Sequence, residues 1–265
     1  MTEPRIAIVG ATGAVGQELL ATLERREVPV ADLKLLASPR SAGRSMAFRG
    51  ESVPVEVLSA ESFGGVDIAL FSAGGGTSTE FAPIAVDAGA VVVDNSSVFR
   101  MDPDVPLVVP EINASALENH QGIIANPNCS TIILVMALAP LHAAAGLRRV
   151  IAATYQAASG AGQRAMDELV ESTRAQLAGE PFEREVLPHS LTFNLFPHVD
   201  VFLDSAYTRE EDKMLYETRK ILGLPELPVE VTCVRVPVLR CHSEAVTVEL
   251  ERPLTPDAAR AVVAA

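Results

Sequence analysis

Asn126-Pro127-Asn128-Cys129-Ser130-Thr131 places a thiol where an apolar, helix-forming stretch begins. The partial positive charge of a helix N-terminus favours the thiolate, which is the reactive form of cysteine. A thiolate so placed attacks carbonyl carbon. The amide N–H groups beside it and the Asn128 side chain are candidates to hold the oxyanion that forms. The other reading of the same residues is a buried cysteine packed at a helix start, and Cys129 alone does not separate the two.

A second set of residues points to a dinucleotide. Gly10-Ala11-Thr12-Gly13-Ala14-Val15-Gly16 sits between an apolar strand and a helix. There glycines permit a tight turn and a close backbone approach to pyrophosphate, with the helix N-terminus aimed at its charge. Gly10, Thr12, Gly13, Ala14, Val15 and Gly16 are therefore candidate cofactor residues. The spacing is G-x-x-G-x-x-G, and a turn with packing glycines is the plainer account of it. An NAD site usually carries an acid after the second strand, for the ribose hydroxyl. Here stands Ser38-Pro39-Arg40-Ser41, whose guanidinium and two hydroxyls suit a 2′-phosphate. NADP is the expected cofactor, with Ser38, Arg40 and Ser41 at its phosphate. Ser72-Ala73-Gly74-Gly75-Gly76 follows a later strand. Ser72, Ala73 and Gly74 either turn amides towards the cofactor or belong to a flexible loop.

Composition narrows the partners. Of the 265 residues, 48% are hydrophobic and 21% charged, as in a globular protein with a substantial core. The 21 basic and 34 acidic residues leave a net charge of −13. That argues against nucleic acid, whose phosphates need clustered Lys and Arg, but a few arginines can still line a site for a small anion. Trp is absent and aromatics make up 5%, so stacking platforms for bases are not expected. No long uncharged apolar run is present, so no membrane partner is expected. Met1-Thr2-Glu3-Pro4-Arg5 runs straight into a strand pattern without the regions of a signal peptide, which makes the cytoplasm the expected location. Three cysteines (Cys129, Cys233, Cys241) do not make a disulfide framework. Without a fourth ligand or a C-x-x-C spacing, Cys233, Cys241 and His242 give no metal site.

The elements that must position these groups alternate. Arg5–Val9, Leu33–Ala37, Asp67–Phe71 and Ala90–Val93 read as strands, and Ala14 to about Arg26 and Thr79–Ala88 as helices. Strands alternating with helices imply parallel pairing through crossovers. After Pro127 the pattern changes: an apolar helix from Cys129 to about Ala145, a strand at Val150–Tyr155, and helical spacing over Gly162–Leu177. Another helix starts at Thr208, with Glu210 and Glu211 in its first turn and Arg219 and Lys220 near its end, as the helix dipole favours. Val229–Val236 and Glu244–Leu250 alternate as two antiparallel strands. Thr255-Pro256-Asp257 opens a last helix.

The Asn-Cys-Ser-Thr segment after this glycine loop resembles aspartate-β-semialdehyde dehydrogenases, and later motifs follow in the family's order. Asp94-Asn95-Ser96-Ser97-Val98-Phe99-Arg100 is similar to the family's phosphate-binding segment, which implies that Arg100 is a ligand of the acyl phosphate or phosphate. Tyr155-Gln156-Ala157-Ala158-Ser159-Gly160-Ala161-Gly162 resembles the segment whose glutamine orients the substrate, implying that role for Gln156 and cofactor contacts for Ser159 and Gly160. Glu210-Glu211-Asp212-Lys213-Met214 matches an Glu-x-x-Lys pair, so Glu210 and Lys213 are carried over to the substrate and phosphate sites. In Cys233 to Glu244 the resemblance implies that Arg235 binds the substrate carboxylate and His242 is the acid/base.

The implied fold is α/β. A Rossmann-type doubly wound NADP-binding domain over residues 1–128 is followed by an α+β catalytic and dimerisation domain over 129–265. The implied reaction is reductive dephosphorylation of β-aspartyl phosphate by NADPH through a Cys129 thioester, with Cys129, Asn128, Gln156 and His242 catalytic. This is a step of the biosynthesis of aspartate-family amino acids. A homodimer or homotetramer is expected. An acid followed three positions later by Lys is, on its own, most often a solvated helix pair. Two other readings stand beside this one: N-acetyl-γ-glutamyl-phosphate reductase, which shares the plan, and a catalytically silent NADP-binding or oligomerisation fragment. The family continues past the position matching Ala265 with further strands and a long helix, so the resemblance implies a C-terminal part absent from this sequence.

Overall fold

A computed structural model describes residues 3–41 and 43–265; Met1, Thr2 and Ala42, and with them the reading of the first two residues, lie outside the described residues. The chain divides into two compact units, one of residues up to Val108 with Ala114–Pro127, the other of Val109–Asn113 with Asn128–Ala265.

The first unit contains β1 (Arg5–Val9), α1 (Ala14–Arg25), β2 (Asp32–Ala37), β3 (Ser45–Phe48), β4 (Glu51–Val57), β5 (Ile68–Phe71), α2 (Gly75–Asp87), β6 (Val91–Asp94) and β7 (Ile123–Ala125). Its seven strands form one sheet in the order β3-β4-β2-β1-β5-β6-β7, parallel except for the β3–β4 pair. β1 is a continuous apolar run because both its faces are covered. Ile6 and Ile8 join Leu20 and Leu23 of α1 in one core, while Ala7 and Val9 join Ala82 and Ala85 of α2 in another. The chain winds outward from β1 through β2 and β4, then returns to β1's other side at β5. The loops after β1 and β5 therefore flank the switch point where open α/β sheets bind ligands.

The sequence patterns missed β3, β4 and β7. β4 carries Pro54 and alternates exposed with buried residues, and β7 is only three residues long, too short for a periodic signal. A second difference lies in α2, which begins at Gly75, a turn before the expected Thr79. Gly75 and Gly76, read there as loop, form its first turn. Ser78 Oγ ties that turn to the buried Asp94 carboxylate at 2.7 Å.

The second unit contains α3 (Pro110–Asn113), α4 (Cys129–Ala145), β8 (Leu147–Gln156), α5 (Gln163–Ala178), α6 (Arg209–Leu222), β9 (Val229–Arg235), β10 (Ser243–Leu250) and α7 (Pro256–Ala264). β9 and β10 run antiparallel to each other, as expected, but are not neighbours in the sheet. The sheet order is β10-β8-β9, with β8 between an antiparallel β10 and a parallel β9. β8 is the ten-residue strand of alternating burial and offers both edges, whereas the loop between β9 and β10 carries the chain across it. Leu134 and Leu138 of α4, Met214 of α6, Val150 and Ala152 of β8, and Val229 and Val231 of β9 fill the core on one face. The other face leaves Ile151 and Tyr155 exposed. No helix among the described residues is long and apolar enough to cross a membrane.

Candidate active site

Cys129 is the first residue of the 17-residue α4 and is exposed. The alternative of a buried, packed thiol therefore does not apply to it; that description fits Cys233, which burial pushes well above the usual thiol range. Asn128 caps the helix. Its Oδ1 accepts the N–H groups of Ser130 at 2.9 Å and Thr131 at 3.2 Å, and its Nδ2 donates to Glu210 Oε1 at 2.9 Å. Its own N–H donates to Glu217 Oε2 at 2.6 Å. Asn128, expected with the neighbouring amides to hold an oxyanion, thus holds the helix start and Glu210.

His242 and Arg235 approach the thiol from the end of the sheet. His242 Nε2 lies 3.2 Å from Cys129 Sγ, and its Nδ1 accepts the Ala157 N–H at 2.9 Å. Cys241 before it has φ 71°, a left-handed conformation that non-glycine residues adopt at a cost and that turns the chain into β10. Arg235, buried at the end of β9, donates from Nη1 to the Ala157 carbonyl at 2.7 Å. Ala157, directly after β8, thus contacts both side chains. A Cβ on Gly160 would lie 3.0 Å from Arg235 Nη1 and 3.4 Å from His242 Cε1, so a bare residue lets them share this space. Burial, then the Arg235 charge, push His242 below the usual imidazole value, with Glu210 pulling the other way.

Behind these groups runs a buried polar network. Gln156 Nε2 donates to Ser130 Oγ and to Glu210 Oε1, both at 2.9 Å, and Gln156 Oε1 accepts from Thr154 Oγ1 at 3.2 Å. Both amide hydrogens of Gln156, expected to orient the substrate, are engaged inside the protein with Glu210 and Ser130. Lys213 Nζ donates to Asp200 Oδ2 at 2.7 Å and to Glu210 Oε2 at 3.1 Å. This is not the solvated pair that such spacing most often makes, since the Glu210 side chain is only 8% exposed. Burial alone would raise Glu210, but Lys213, Asn128 and Gln156 outweigh it and hold the carboxyl below its ordinary range. Two carboxylates share the charge of Lys213, which ties it to the frame of the site and reduces what it offers an anion. Asp200, Ser130, Thr154 and Glu217 escaped the sequence reading. Glu217 was findable, because Glu210, Lys213 and Glu217 are spaced to share one face of α6. Asp200 sits at φ 66° in a loop without periodicity.

In the first unit, the glycine loop has the geometry a dinucleotide requires. Gly10 has φ +86°, and a Cβ there would lie 2.9 Å from Ser72 backbone atoms. A Cβ on Gly16 would overlap the Gly10 carbonyl oxygen and lie 2.7 Å from Ala11 Cα. Thr12 Oγ1 and Ser41 Oγ share a hydrogen bond of 3.1 Å, joining the loop to the segment after β2. Gly13, Ala14 and Val15 open α1; Ser38, Arg40, Ala73 and Gly74 are exposed around the same switch point. Arg100 is buried and donates from Nη2 to the Asn95 carbonyl at 2.9 Å. Gly16→Ala must displace backbone, and we expect it to weaken dinucleotide binding at least about tenfold and destabilise the fold by about 1–3 kcal/mol. Fluorescence titration and thermal melting read both, and parent-like affinity would refute this account of the loop.

One titratable group stands outside this network. Both Glu244 carboxyl oxygens are buried without a hydrogen-bond partner among the described residues, and burial pushes the group up to about 7. The folded chain thus holds this proton more tightly than the unfolded one. The stability it contributes is complete below about pH 4.5 and lost as pH rises through about 7. Glu244→Gln should be more stable than the parent by about 1–2 kcal/mol at pH 8, after allowance for solvent screening, and equal to it near pH 4.5. Urea unfolding at the two pH values tests this, and an unchanged difference between them would contradict it.

A parallel sheet with a glycine loop at its switch point, together with an exposed thiol set against histidine, defines a nicotinamide-dependent oxidoreductase class. The semialdehyde dehydrogenase NAD binding domain matches residues 5–120, and the semialdehyde dehydrogenase dimerisation domain matches 138–265. The aspartate-semialdehyde dehydrogenase of Synechocystis sp. is 53% identical over 260 residues, covering 98% of this chain and 77% of the relative. That of Aquifex aeolicus is 51% identical over 263 residues, with 98% and 77% covered. The crystal structure of aspartate semialdehyde dehydrogenase II from Vibrio cholerae complexed with ASA superposes with TM-score 0.97 at 46% identity, covering 99% of this chain and 79% of that one. The chain belongs to the aspartate-semialdehyde dehydrogenase family.

Proposed function

We propose that this chain catalyses the NADPH-dependent conversion of β-aspartyl phosphate to aspartate semialdehyde and phosphate, with Cys129 as nucleophile. The observation that carries this reading is the exposed thiol at the start of α4 with His242 Nε2 3.2 Å from its sulfur. The thiolate attacks the acyl carbon, the C–S bond forms, and phosphate leaves with the electron pair of the broken C–O bond. Arg235 receives the substrate carboxylate, its guanidinium anchored through the Ala157 carbonyl. Arg100 receives the phosphate. Glu210, held by Asn128, Gln156 and Lys213, keeps the site's frame in place. Gly10, Thr12, Gly13 and Gly16 would hold the dinucleotide, and its nicotinamide supplies hydride to the acyl carbon when bound. Ser159 and Gly160 are further candidates for cofactor contacts.

NADP rather than NAD is supported by the exposed Arg40 and by Ser38 and Ser41, with no acid at the end of β2. The open face of the β10-β8-β9 sheet, with Ile151 and Tyr155 exposed, supports assembly as a homodimer. A cytoplasmic enzyme of amino-acid biosynthesis is the corresponding setting. Phosphate-dependent NADP reduction is expected with aspartate semialdehyde, and much less with NAD or with N-acetylglutamate semialdehyde. A faster rate with the acetylated substrate would overturn the reading.

A further inference from the structure

Asn95 and Asn126 meet at the carboxyl end of the first unit's sheet. β6 and β7 run parallel with Asp94 opposite Ala125, so the residues that follow the two strands stand side by side. Their backbones are fixed: the Asn95 N–H donates to the Phe71 carbonyl at 2.9 Å and the Asn126 N–H to the Asp94 carbonyl at 2.8 Å. Between the side chains runs one bond, from Asn126 Nδ2 to Asn95 Oδ1 at 2.7 Å. A side-chain amide can present either its oxygen or its amino group, so a third group must decide the direction of this bond. Asn126 Nδ2 also lies 3.4 Å from the Pro127 carbonyl oxygen, which can only accept. That contact keeps the Asn126 amino group on the side of Asn95, and Asn95 answers with its oxygen. The Asn95 amino group is therefore turned away from Asn126.

Asn95 opens the phosphate segment, where several other donors are already spent. Ser96 N–H and Oγ both donate to Asp94, at 3.1 and 2.5 Å, and the Val98 N–H donates to Ser96 Oγ at 3.2 Å. Asp94 itself is fully buried and held from α2 by Ser78. Arg100 reaches back to the Asn95 carbonyl at 2.9 Å, which brings its guanidinium to the asparagine whose amino group is turned out. We propose that Asn126 is a positioning residue for phosphate: it fixes the Asn95 amide so that the segment offers an N–H beside Arg100 rather than a carbonyl oxygen. The reversed amide would set its oxygen against a phosphate oxygen and replace attraction by repulsion. Asn126 acts through Asn95 alone, and the inference rests on the acyl-phosphate reading above.

Asn126→Asp is the discriminating variant. Its carboxylate only accepts, so Asn95 must turn its amino group inward and its oxygen outward. The assay is phosphate-dependent NADP reduction by the full chain with aspartate semialdehyde. KM for phosphate should rise about thirtyfold in Asn126→Asp and about fivefold in Asn126→Ala, which leaves the Asn95 amide unheld. kcat at saturating phosphate and KM for NADP should stay within about threefold, a split that general damage to the fold would not produce. The added negative charge also repels phosphate, and Asn95→Ala isolates that part. On its own Asn95→Ala should raise KM for phosphate about tenfold, and Asn126→Asp on that background should add no more than about threefold. A KM for Asn126→Asp within about twofold of the parent, or its whole effect persisting in the Asn95→Ala background, overturns the proposal. If Asn126→Asp fails to fold, Asn126→Ala decides in the same way, since its effect must vanish once Asn95 is Ala. A parent rate independent of phosphate overturns the acyl-phosphate reading and this assignment with it, whereas a phosphate-dependent parent with a silent Asn126→Asp overturns this assignment alone.

Discussion

Cys129→Ser should lower phosphate-dependent NADP reduction by at least about a thousandfold. The substitution exchanges one exposed atom at the first position of α4, where Asn128 provides the cap, so the fold should be unaffected. What changes is ionisation. At a helix start a thiol is readily held as thiolate, while a serine hydroxyl stays protonated. NADPH affinity should remain within about twofold, because the substitution changes none of the glycine loop's own contacts. Steady-state rates, cofactor titration and melting separate the effects. A serine variant at ordinary rate would sink the nucleophile assignment, and a variant that also lost cofactor binding would point to unfolding.

The sequence disclosed some of this and concealed the rest for physical reasons. β1, β2 and β6 were legible because strands buried on both faces must be apolar along their length. β3 and β4 were not, since exposed positions and Pro54 mask the pattern. The order β10-β8-β9 was also hidden: alternation tells which residues face the core and says nothing of which strand lies beside which. Cys129 announced itself by type and by the helix after it, but its exposure, which separates reactive from structural thiol, is a tertiary property. Gln156 and Glu210 were picked out, whereas their mutual bond required strand β8 and helix α6 to meet. The group that orients the His242 ring could not be read at all. It is a backbone N–H, and any non-proline residue at position 157 would supply one.

That network predicts a large stability effect at Glu210. Its carboxylate accepts from Asn128 Nδ2, Gln156 Nε2 and Lys213 Nζ, at 2.9, 2.9 and 3.1 Å. Glu210→Ala would leave two buried amide N–H groups without an acceptor and Lys213 with Asp200 alone. Removing one partner of a buried, hydrogen-bonded charge pair costs about 3–5 kcal/mol, and that is the expected loss. Glu210→Gln fills the same volume but cannot accept from all three donors, so it should fall between parent and Ala variant. The pH dependence has a definite sign. Glu210 is held below its ordinary value when folded, so its contribution is present above the ordinary carboxyl value and lost as pH falls through the folded one. The gap between parent and Ala variant should therefore close in acid. Activity should drop as well, because Asn128 caps the helix that presents Cys129. Denaturant unfolding at neutral and acid pH provides the measurement. An Ala variant as stable as the parent at neutral pH would mean that solvent replaces the carboxylate and that the buried network does not hold the site.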